Sequence, residues 1–292
     1  MSAEDRDQGD ARDHDAERAA LHDCWEGVAA GWGRQAAAFG EQNAPVACWM
    51  IDAAELAPGQ RVLDLAAGPG EVGFLAAPLI EPGGTLICSD HSPAMVEVAR
   101  ERAAALGLHN VEFRVLDGEW IDLELASVDT VLCRWGYMLM ADPAAALRET
   151  RRVLRPGGRV ALAVWDRREL NPWSTVPTDV LVSFGLAEPP NPADPGPYSM
   201  SDPQLVREML EEAGFTEILL DALDVPRTAP DFDSWWATHL DLSVATRTAF
   251  AKADEEQTFA VEAEITRRFA AHTAADGSVA VPGRTLVATA EA

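Results

Sequence analysis

Arg61-Val-Leu-Asp-Leu-Ala-Ala-Gly-Pro-Gly-Glu-Val-Gly73 is the stretch on which the reading of this chain turns. Val62 to Leu65 is a short apolar run of the kind buried in a parallel sheet, and Gly68, Gly70 and Gly73 follow it. Phe74 to Ile80 is then apolar with helical character. A strand that passes through glycines into a helix start makes a ligand site, because the backbone turns sharply and its free N–H groups meet an anionic group. The bare pattern Gly68-x-Gly70-x-x-Gly73 is shared by nicotinamide, flavin and S-adenosylmethionine (SAM) proteins. Asp64 separates them. A carboxylate inside the strand can hold an ammonium group or organise the loop above it. Nicotinamide dinucleotides carry no ammonium, whereas the methionine end of SAM does. The plainer alternative is an ordinary strand–loop–helix turn with Asp64 capping the loop.

Outward from this stretch the chain alternates strand and helix. Thr85–Ser89 reads as a strand, Pro93–Leu106 as a helix capped near Asp90 or Ser92, Val111–Leu116 and Val128–Cys133 as strands, and Pro143–Val153 as a helix. Arg155-Pro-Gly-Gly158 reads as a turn before the strand Arg159–Trp165. Such alternation predicts a doubly wound α/β sheet with right-handed crossovers, its ligands beyond the carboxyl ends of the strands. Residues 59–166 form this core. Residues 167–200 are Pro-rich and read as an irregular lid connection with an apolar patch at Val180–Phe184. In residues 201–292, Asp202–Ala213 is an amphipathic helix stopped by Gly214 and Phe215–Leu220 a strand. A helical insertion spans about 232–271, and a last strand lies at Arg284–Ala288.

Ahead of the core, residues 1–17 hold seven acids against Arg6 and Arg12, and are expected to form a disordered acidic tail. Residues 18–58 read as a cap of two or three short helices, with Leu21, Trp25, Val28 and Trp32 at helical spacing. The 292 residues suffice for one domain with additions, and 48% apolar content is that of a globular chain without a membrane-spanning run. A net charge of −25 repels polyphosphate, so nucleic acid and anionic membrane are not expected partners. Cys24, Cys48, Cys88 and Cys133 are scattered, which reads as reduced thiols in a cytoplasmic protein and not as a metal site.

Three acids stand at successive strand ends. Asp90 lies 20 residues after Gly70, where a carboxylate accepts both ribose hydroxyls of an adenosine. Asp117, followed by Gly118-Glu119-Trp120, can take the adenine amino proton while Trp120 or an aliphatic neighbour packs on the ring. Each alone could be a cap or an Asp-Gly turn. Together Asp64, Asp90 and Asp117 outline an amino acid end, a ribose and an adenine, which is the order of groups in SAM.

Val62-Leu-Asp-Leu-Ala-Ala-Gly-Pro-Gly70, Ser89-Asp-His-Ser-Pro-Ala-Met95, Leu116-Asp-Gly-Glu119 and Leu147 to Gly158 resemble the successive motifs of class I SAM-dependent methyltransferases. Within that family the chain resembles the branch that includes the ubiquinone/menaquinone C-methyltransferases. The resemblance runs from about Leu56 to Leu220. It implies a seven-stranded Rossmann-like sheet with the last strand antiparallel, and SAM as cofactor. Asp64 and the loop Ala66 to Gly70 would lie at the methionine end, Asp90 at the ribose with His91 and Met95 beside it, and Asp117 with Gly118 at the adenine. Arg134 would stand near the methionine and the departing methyl group. His91 departs from the small or apolar residue common there.

The loop Arg134-Trp-Gly-Tyr-Met-Leu-Met140 has neither the (Asn/Asp)-Pro-Pro-(Tyr/Phe) pattern of methyltransferases acting on nucleic-acid or protein nitrogens nor a strand-end carboxylate for a metal. The expected reaction is therefore metal-free methyl transfer to an oxygen or carbon of an apolar small molecule, of the kind modified in secondary metabolism. Tyr137 is the candidate for proton handling. Trp32, Trp135, Tyr137, Trp173 and Tyr198 are the candidates for an aromatic acceptor pocket. The competing readings are a SAM-binding protein of this fold that does not methylate, as a cyclase or binding module, and a nicotinamide oxidoreductase, which leaves Asp64 and Asp117 unexplained.

Overall fold

The computed structural model describes residues 14–191 and 194–292. Two helices, α1 (His14–Gln42) and α2 (Ala44–Ala53), precede β1 (Arg61–Leu65), α3 (Glu71–Ala76), β2 (Thr85–Asp90), α4 (Pro93–Leu106) and β3 (Val111–Val115). The core continues through β4 (Val128–Arg134), α5 (Pro143–Val153) and β5 (Leu154–Trp165), then α6 (Pro172–Ser183), α7 (Pro203–Glu212) and β6 (Thr216–Asp224). The chain ends with β7 (Arg227–Ala229), α8 (Phe232–Leu242), α9 (Val244–Phe250), α10 (Glu255–Phe269), β8 (Val279–Val281) and β9 (Arg284–Glu291).

Seven strands form one sheet in the order β3-β2-β1-β4-β5-β9-β6, and the order reverses at β1, between β2 and β4. β1 to β5 run parallel, while β9 inserts antiparallel between β5 and β6. Helices cover both faces of the central strands, so β1 is apolar on both sides: Val62, Leu63 and Leu65 are all buried. Short polar residues start the helices that follow. Ser92 Oγ accepts from Met95 N–H at 3.1 Å and Asp142 Oδ1 from Ala145 N–H at 2.8 Å. These caps fix where each crossover helix begins, and so place the strand-end loops along one edge of the sheet.

Three expectations need correction, and a fourth lies mostly outside the described residues. The N-terminal cap is not two or three short helices but the single 29-residue α1 followed by α2. Gly31 and Gly33 look like breaks in the sequence but serve close approach. A Cβ at Gly31 would run into the carbonyl of Asp241 in α8, and one at Gly33 would meet Val98 of α4 at 3.1 Å. The acidic segment 1–17 falls mostly outside the described residues, and 14–17 belong to α1. The connection 167–200 is not irregular throughout, because its apolar patch lies at the end of α6. Pro172 is tolerated at the first turn of that helix, where its missing N–H has no intrahelical partner in any case. Arg155 to Gly158 is an irregularity inside β5, where the partner of β4 steps from Leu154 to Arg159 while β4 advances only from Val128 to Thr130.

A second apolar cluster gathers Val180, Leu181, Trp235, Trp236 and Phe269 from α6, α8 and α10, with the β7–β8 ribbon beside it. Trp173 packs against both this cluster and the main core. Among the described residues no helix is long and apolar enough to cross a membrane.

Candidate active site

The loop after β1 is held open by its own backbone. Gly68 and Gly70 lie at φ +54° and +87°, in the left-handed region that glycine enters at no steric cost. A Cβ on Gly68 would meet no atom of the described residues within 4 Å, so this turn presents bare backbone to the cavity. Asp64, 1% exposed, accepts the N–H of Gly73 through Oδ2 at 2.8 Å and thereby anchors the start of α3. Burial pushes its pKa up to about 7, opposed by the Gly73 bond and by Arg134. Of the two roles open to Asp64, loop organisation is thus visible directly, and the residue also borders the cavity described below.

Asp90 is drawn into the same loop. Its Oδ2 accepts from Gly68 N–H and its Oδ1 from Ser92 N–H, both at 3.0 Å. Each carboxylate oxygen retains a lone pair for a further donor. Burial raises its pKa, against the pull of these N–H groups and of His91. His91 Nε2 is buried without a partner among the described residues, and its ring lies 5.8 Å from that of His22 on α1. Met95 is buried beneath. Asp117 is exposed, with Oδ1 accepting Glu119 N–H at 2.8 Å, and Gly118 sits where a Cβ would meet Met140. Trp120 does not cover this end, since it is 77% exposed; Val115, Leu116 and Met140 form the wall.

At the end of β4, Arg134 donates to Glu71 at 2.5 Å, and Glu71 also pairs with Arg102 at 3.2 Å. The Arg134 side chain is only 7% exposed, yet its Nη1 has no hydrogen-bond partner among the described residues. A buried guanidinium donor left unpaired is costly unless a ligand completes it.

All ten expected cofactor residues except Gly70 border one mostly apolar cavity of about 940 Å³. Trp32, Trp135, Trp173 and Tyr198 border it too, so four of the five expected pocket residues converge. Tyr137 does not. It is fully buried, with its hydroxyl bonded to Thr150 Oγ1 at 2.6 Å, because the short turn Tyr137–Leu139 aims it at α5. Burial also drives its pKa well up, so the expected proton-handling role is corrected to packing.

The aromatic wall is a continuous ladder. Ring centres are 6.0 Å apart for Trp25–Trp32, 4.9 Å for Trp32–Phe39, 5.9 Å for Phe39–Trp135, 4.3 Å for Trp135–Trp165 and 4.9 Å for Trp165–Trp173. Trp135 stands at φ +58°, a strained conformation for a bulky residue. It is held there by stacking on Trp165 and by its indole N–H, which donates to Thr285 Oγ1 at 2.9 Å.

Four residues escaped the sequence reading. Glu71 follows the glycine loop directly and could have been read from that position. Glu26 of α1 accepts from Ala94 N–H at 3.2 Å and from Ser92 Oγ, tying α1 to the start of α4. Phe39 and Arg227 gave no local signal. Arg227 is 7% exposed and its guanidinium lies within 5.5 Å of four ring centres, those of Phe39, Trp135, Trp165 and Trp173.

These features fit SAM on independent grounds. The open backbone at Gly68 suits close approach, the unpaired Nη1 of Arg134 suits a carboxylate, and Asp90 keeps acceptor capacity for hydroxyls. Comparison with known proteins agrees. The family described as "Methyltransferase domain" matches residues 56–214, more than half of the chain. Nocamycin O-methyltransferase from Saccharothrix syringae is 29% identical over 79% of this chain and 85% of its own length. The ubiquinone/menaquinone biosynthesis C-methyltransferase UbiE from Coxiella burnetii is 31% identical over 44% of this chain and 53% of its own. Of several other curated relatives the chain likewise spans only about a third to a half of the length, as little as 34%. In fold, the YcgJ protein from Bacillus subtilis aligns with a TM-score of 0.57 over 84% of this chain and 97% of its own, at 19% identity. With motifs, sheet order and family match in agreement, this chain belongs to the class I SAM-dependent methyltransferases.

Proposed function

We propose that the protein transfers the methyl group of SAM to an oxygen or carbon of an apolar small molecule. The observation that carries this reading is a cavity in which the glycine loop and the aromatic ladder meet. Aromatic walls exclude water and grip an apolar body, and their faces favour a nearby cation. α1 borders this space through Trp25, Trp32 and Phe39, which suits a small guest better than a nucleic acid or a folded protein.

Bound there, SAM supplies a methyl group already activated on a sulfonium. The chain's own residues bind and orient. Asp90 would accept the ribose hydroxyls, Asp117 and Gly118 would meet the adenine with Val115, Leu116 and Met140 packing on it, and the free Nη1 of Arg134 would hold the methionine carboxylate. Asp64 sets the loop and offers negative charge to the ammonium. Beyond this the protein has to fix an in-line approach and keep water out. Tyr198 has its pKa raised to about 12 by burial, so at neutral pH it is a phenol that can donate to an acceptor oxygen. His239 borders the cavity, but it is held neutral by burial, with its pKa lowered to about 4, and packs with Trp235 and Trp236.

Methyl-labelled SAM, incubated with the protein and a cell extract fractionated into small molecules, RNA and protein, tests the reading. Label is expected in the small-molecule fraction on carbon or oxygen. Label in RNA or protein would refute it, and SAM bound without any transfer would favour a non-methylating role.

A further inference from the structure

Among the described residues, Arg227 is a buried cation without an anion. Its Nη1 donates to Asn43 Oδ1 at 2.7 Å and to Gln42 Oε1 at 3.3 Å, both neutral groups. Its Nε and Nη2 make no hydrogen bond to any described residue, and among the described residues no carboxylate forms an ion pair with it. The side chain is nevertheless part of the cavity wall. The cation that acts on it across the ladder is of the same sign. The guanidiniums of Arg134 and Arg227 both lie within 5.5 Å of the Trp135 ring centre, and Arg134 disfavours the charge on Arg227. Burial with that repulsion lowers the Arg227 pKa to about 9.

The contrast with Arg134 is instructive. Arg134 has Glu71 to balance it and one unpaired donor, which the methionine carboxylate of SAM would fill. Arg227 has no such balance, and SAM has only one carboxylate. The four rings around Arg227 ease its burial but cannot replace hydrogen bonds in the guanidinium plane. The Nε–Nη2 edge is the fork that receives two oxygens of a carboxylate side by side.

We propose that the methyl acceptor carries an anionic oxygen group, most simply a carboxylate, which docks on the Nε–Nη2 edge of Arg227 while its apolar body lies along Trp165 and Trp173. The enzyme then selects apolar organic acids over neutral molecules of the same shape. This rests on the methyl-transfer reading above and narrows its acceptor. Arg227 is a specificity residue in this account, and the group it holds need not be the atom that is methylated.

Binding to the full chain, saturated with S-adenosylhomocysteine, tests it by calorimetry. Naphthylacetate, biphenylcarboxylate and decanoate are each compared with the corresponding primary amide. At least one acid is expected to bind about tenfold or more tightly than its amide. That preference should vanish in Arg227→Gln, which can still donate to Asn43, and survive in part in Arg227→Lys. The dissociation constant for S-adenosylhomocysteine and the melting temperature of both variants serve as controls for cofactor site and fold. Equal binding of acid and amide, binding of none of the acids, or an acid preference that persists in Arg227→Gln each overturns the proposal. If S-adenosylhomocysteine itself does not bind, the methyl-transfer reading fails; if it binds and only the acid preference is missing, this inference fails alone.

Discussion

The two ends of the cavity are built by different means. At the cofactor end, residues from Asp64 to Arg134 lie on the adjacent strand ends of β1, β2, β3 and β4, and their buried acids are held by backbone N–H groups. At the acceptor end, Trp32, Trp135, Trp173, Tyr198 and Arg227 come from segments up to almost 200 positions apart, and the buried cation there has no counterion among the described residues. A ligand whose chemistry is constant can be met by short contiguous motifs. A ligand that differs from enzyme to enzyme is met by whatever the lid elements bring over the sheet edge, so that end has to be assembled before it can be read.

The strongest way to break this contrast is at Asp90. Two charge-assisted bonds to ribose hydroxyls are worth about 1.5–3 kcal/mol each, so Asp90→Ala should weaken SAM binding on the order of a hundredfold or more. Asp90→Asn, which keeps an acceptor for Gly68 or Ser92, separates loss of the ribose bonds from collapse of the loop. Trp173→Ala, at the other end, should leave SAM affinity within about threefold and raise the acceptor KM about tenfold. If calorimetry finds both variants equally impaired for SAM, the two ends are one unit and the contrast fails.

Glu71 comes next. It balances Arg134 and Arg102 inside the protein, and its own pKa is raised by burial, against the pull of those two cations. Removing one partner of a buried ion cluster costs about 3–5 kcal/mol, so Glu71→Gln should lower the melting temperature by roughly ten degrees. SAM should recover part of that loss, because its carboxylate would partly replace Glu71 beside Arg134. A variant that melts with the parent would show that Glu71 adds nothing to the buried charge balance.

Asp64 gives a smaller effect with a sign that depends on pH. Its folded pKa of about 7 lies above the reference value of 3.8, so the fold favours the protonated acid. That contribution is fully present below about pH 4 and is lost as pH rises to about 7. The ligand-free parent should therefore lose stability across this window relative to Asp64→Asn, by on the order of 1–3 kcal/mol. The SAM ammonium favours the carboxylate instead, so SAM should bind the parent more tightly as pH rises through 7, and the variant with a flatter profile. Parallel melting curves for the two proteins from pH 4 to 8 would remove the titration from Asp64.

Much of the cofactor end was legible because its signals are local. An acid in a strand, glycines at fixed offsets and Ser92 before Pro93 each constrain the backbone within a few residues. The antiparallel last strand came from family resemblance and not from its own pattern, since Arg284–Glu291 is buried nearly throughout and reads only as a strand. The continuity of α1 was hidden because Gly31 answers to Asp241, more than 200 positions away. α6 was hidden because Pro172 and Pro177 read as loop residues although the apolar face of the helix is buried against α10. Arg227 sits in a three-residue strand with nothing beside it in sequence to mark it. Its isolation appears only when four aromatic rings from α1, the loop after β4, β5 and α6 surround it.

Tyr137 tests the finest point of the contrast, one residue from each of two cavity neighbours, Gly136 and Met138. Its hydroxyl and that of Thr150 are both buried, and each is the other's partner. Tyr137→Phe should cost about 0.5–1.5 kcal/mol and lower the melting temperature by a few degrees, with kcat and SAM affinity unchanged. Most of that cost is the stranded hydroxyl of Thr150, so adding Thr150→Val should restore stability towards the parent, because two apolar groups of matching shape replace a satisfied pair. Turnover then decides where the cavity wall lies. A fall in kcat of about tenfold or more in Tyr137→Phe, not restored in the double variant and at unchanged SAM affinity, would put the phenol back in the chemistry and move the acceptor site below the ladder. Stability recovered with turnover constant throughout keeps Tyr137 in the core and confines the chemistry to the space above Trp135.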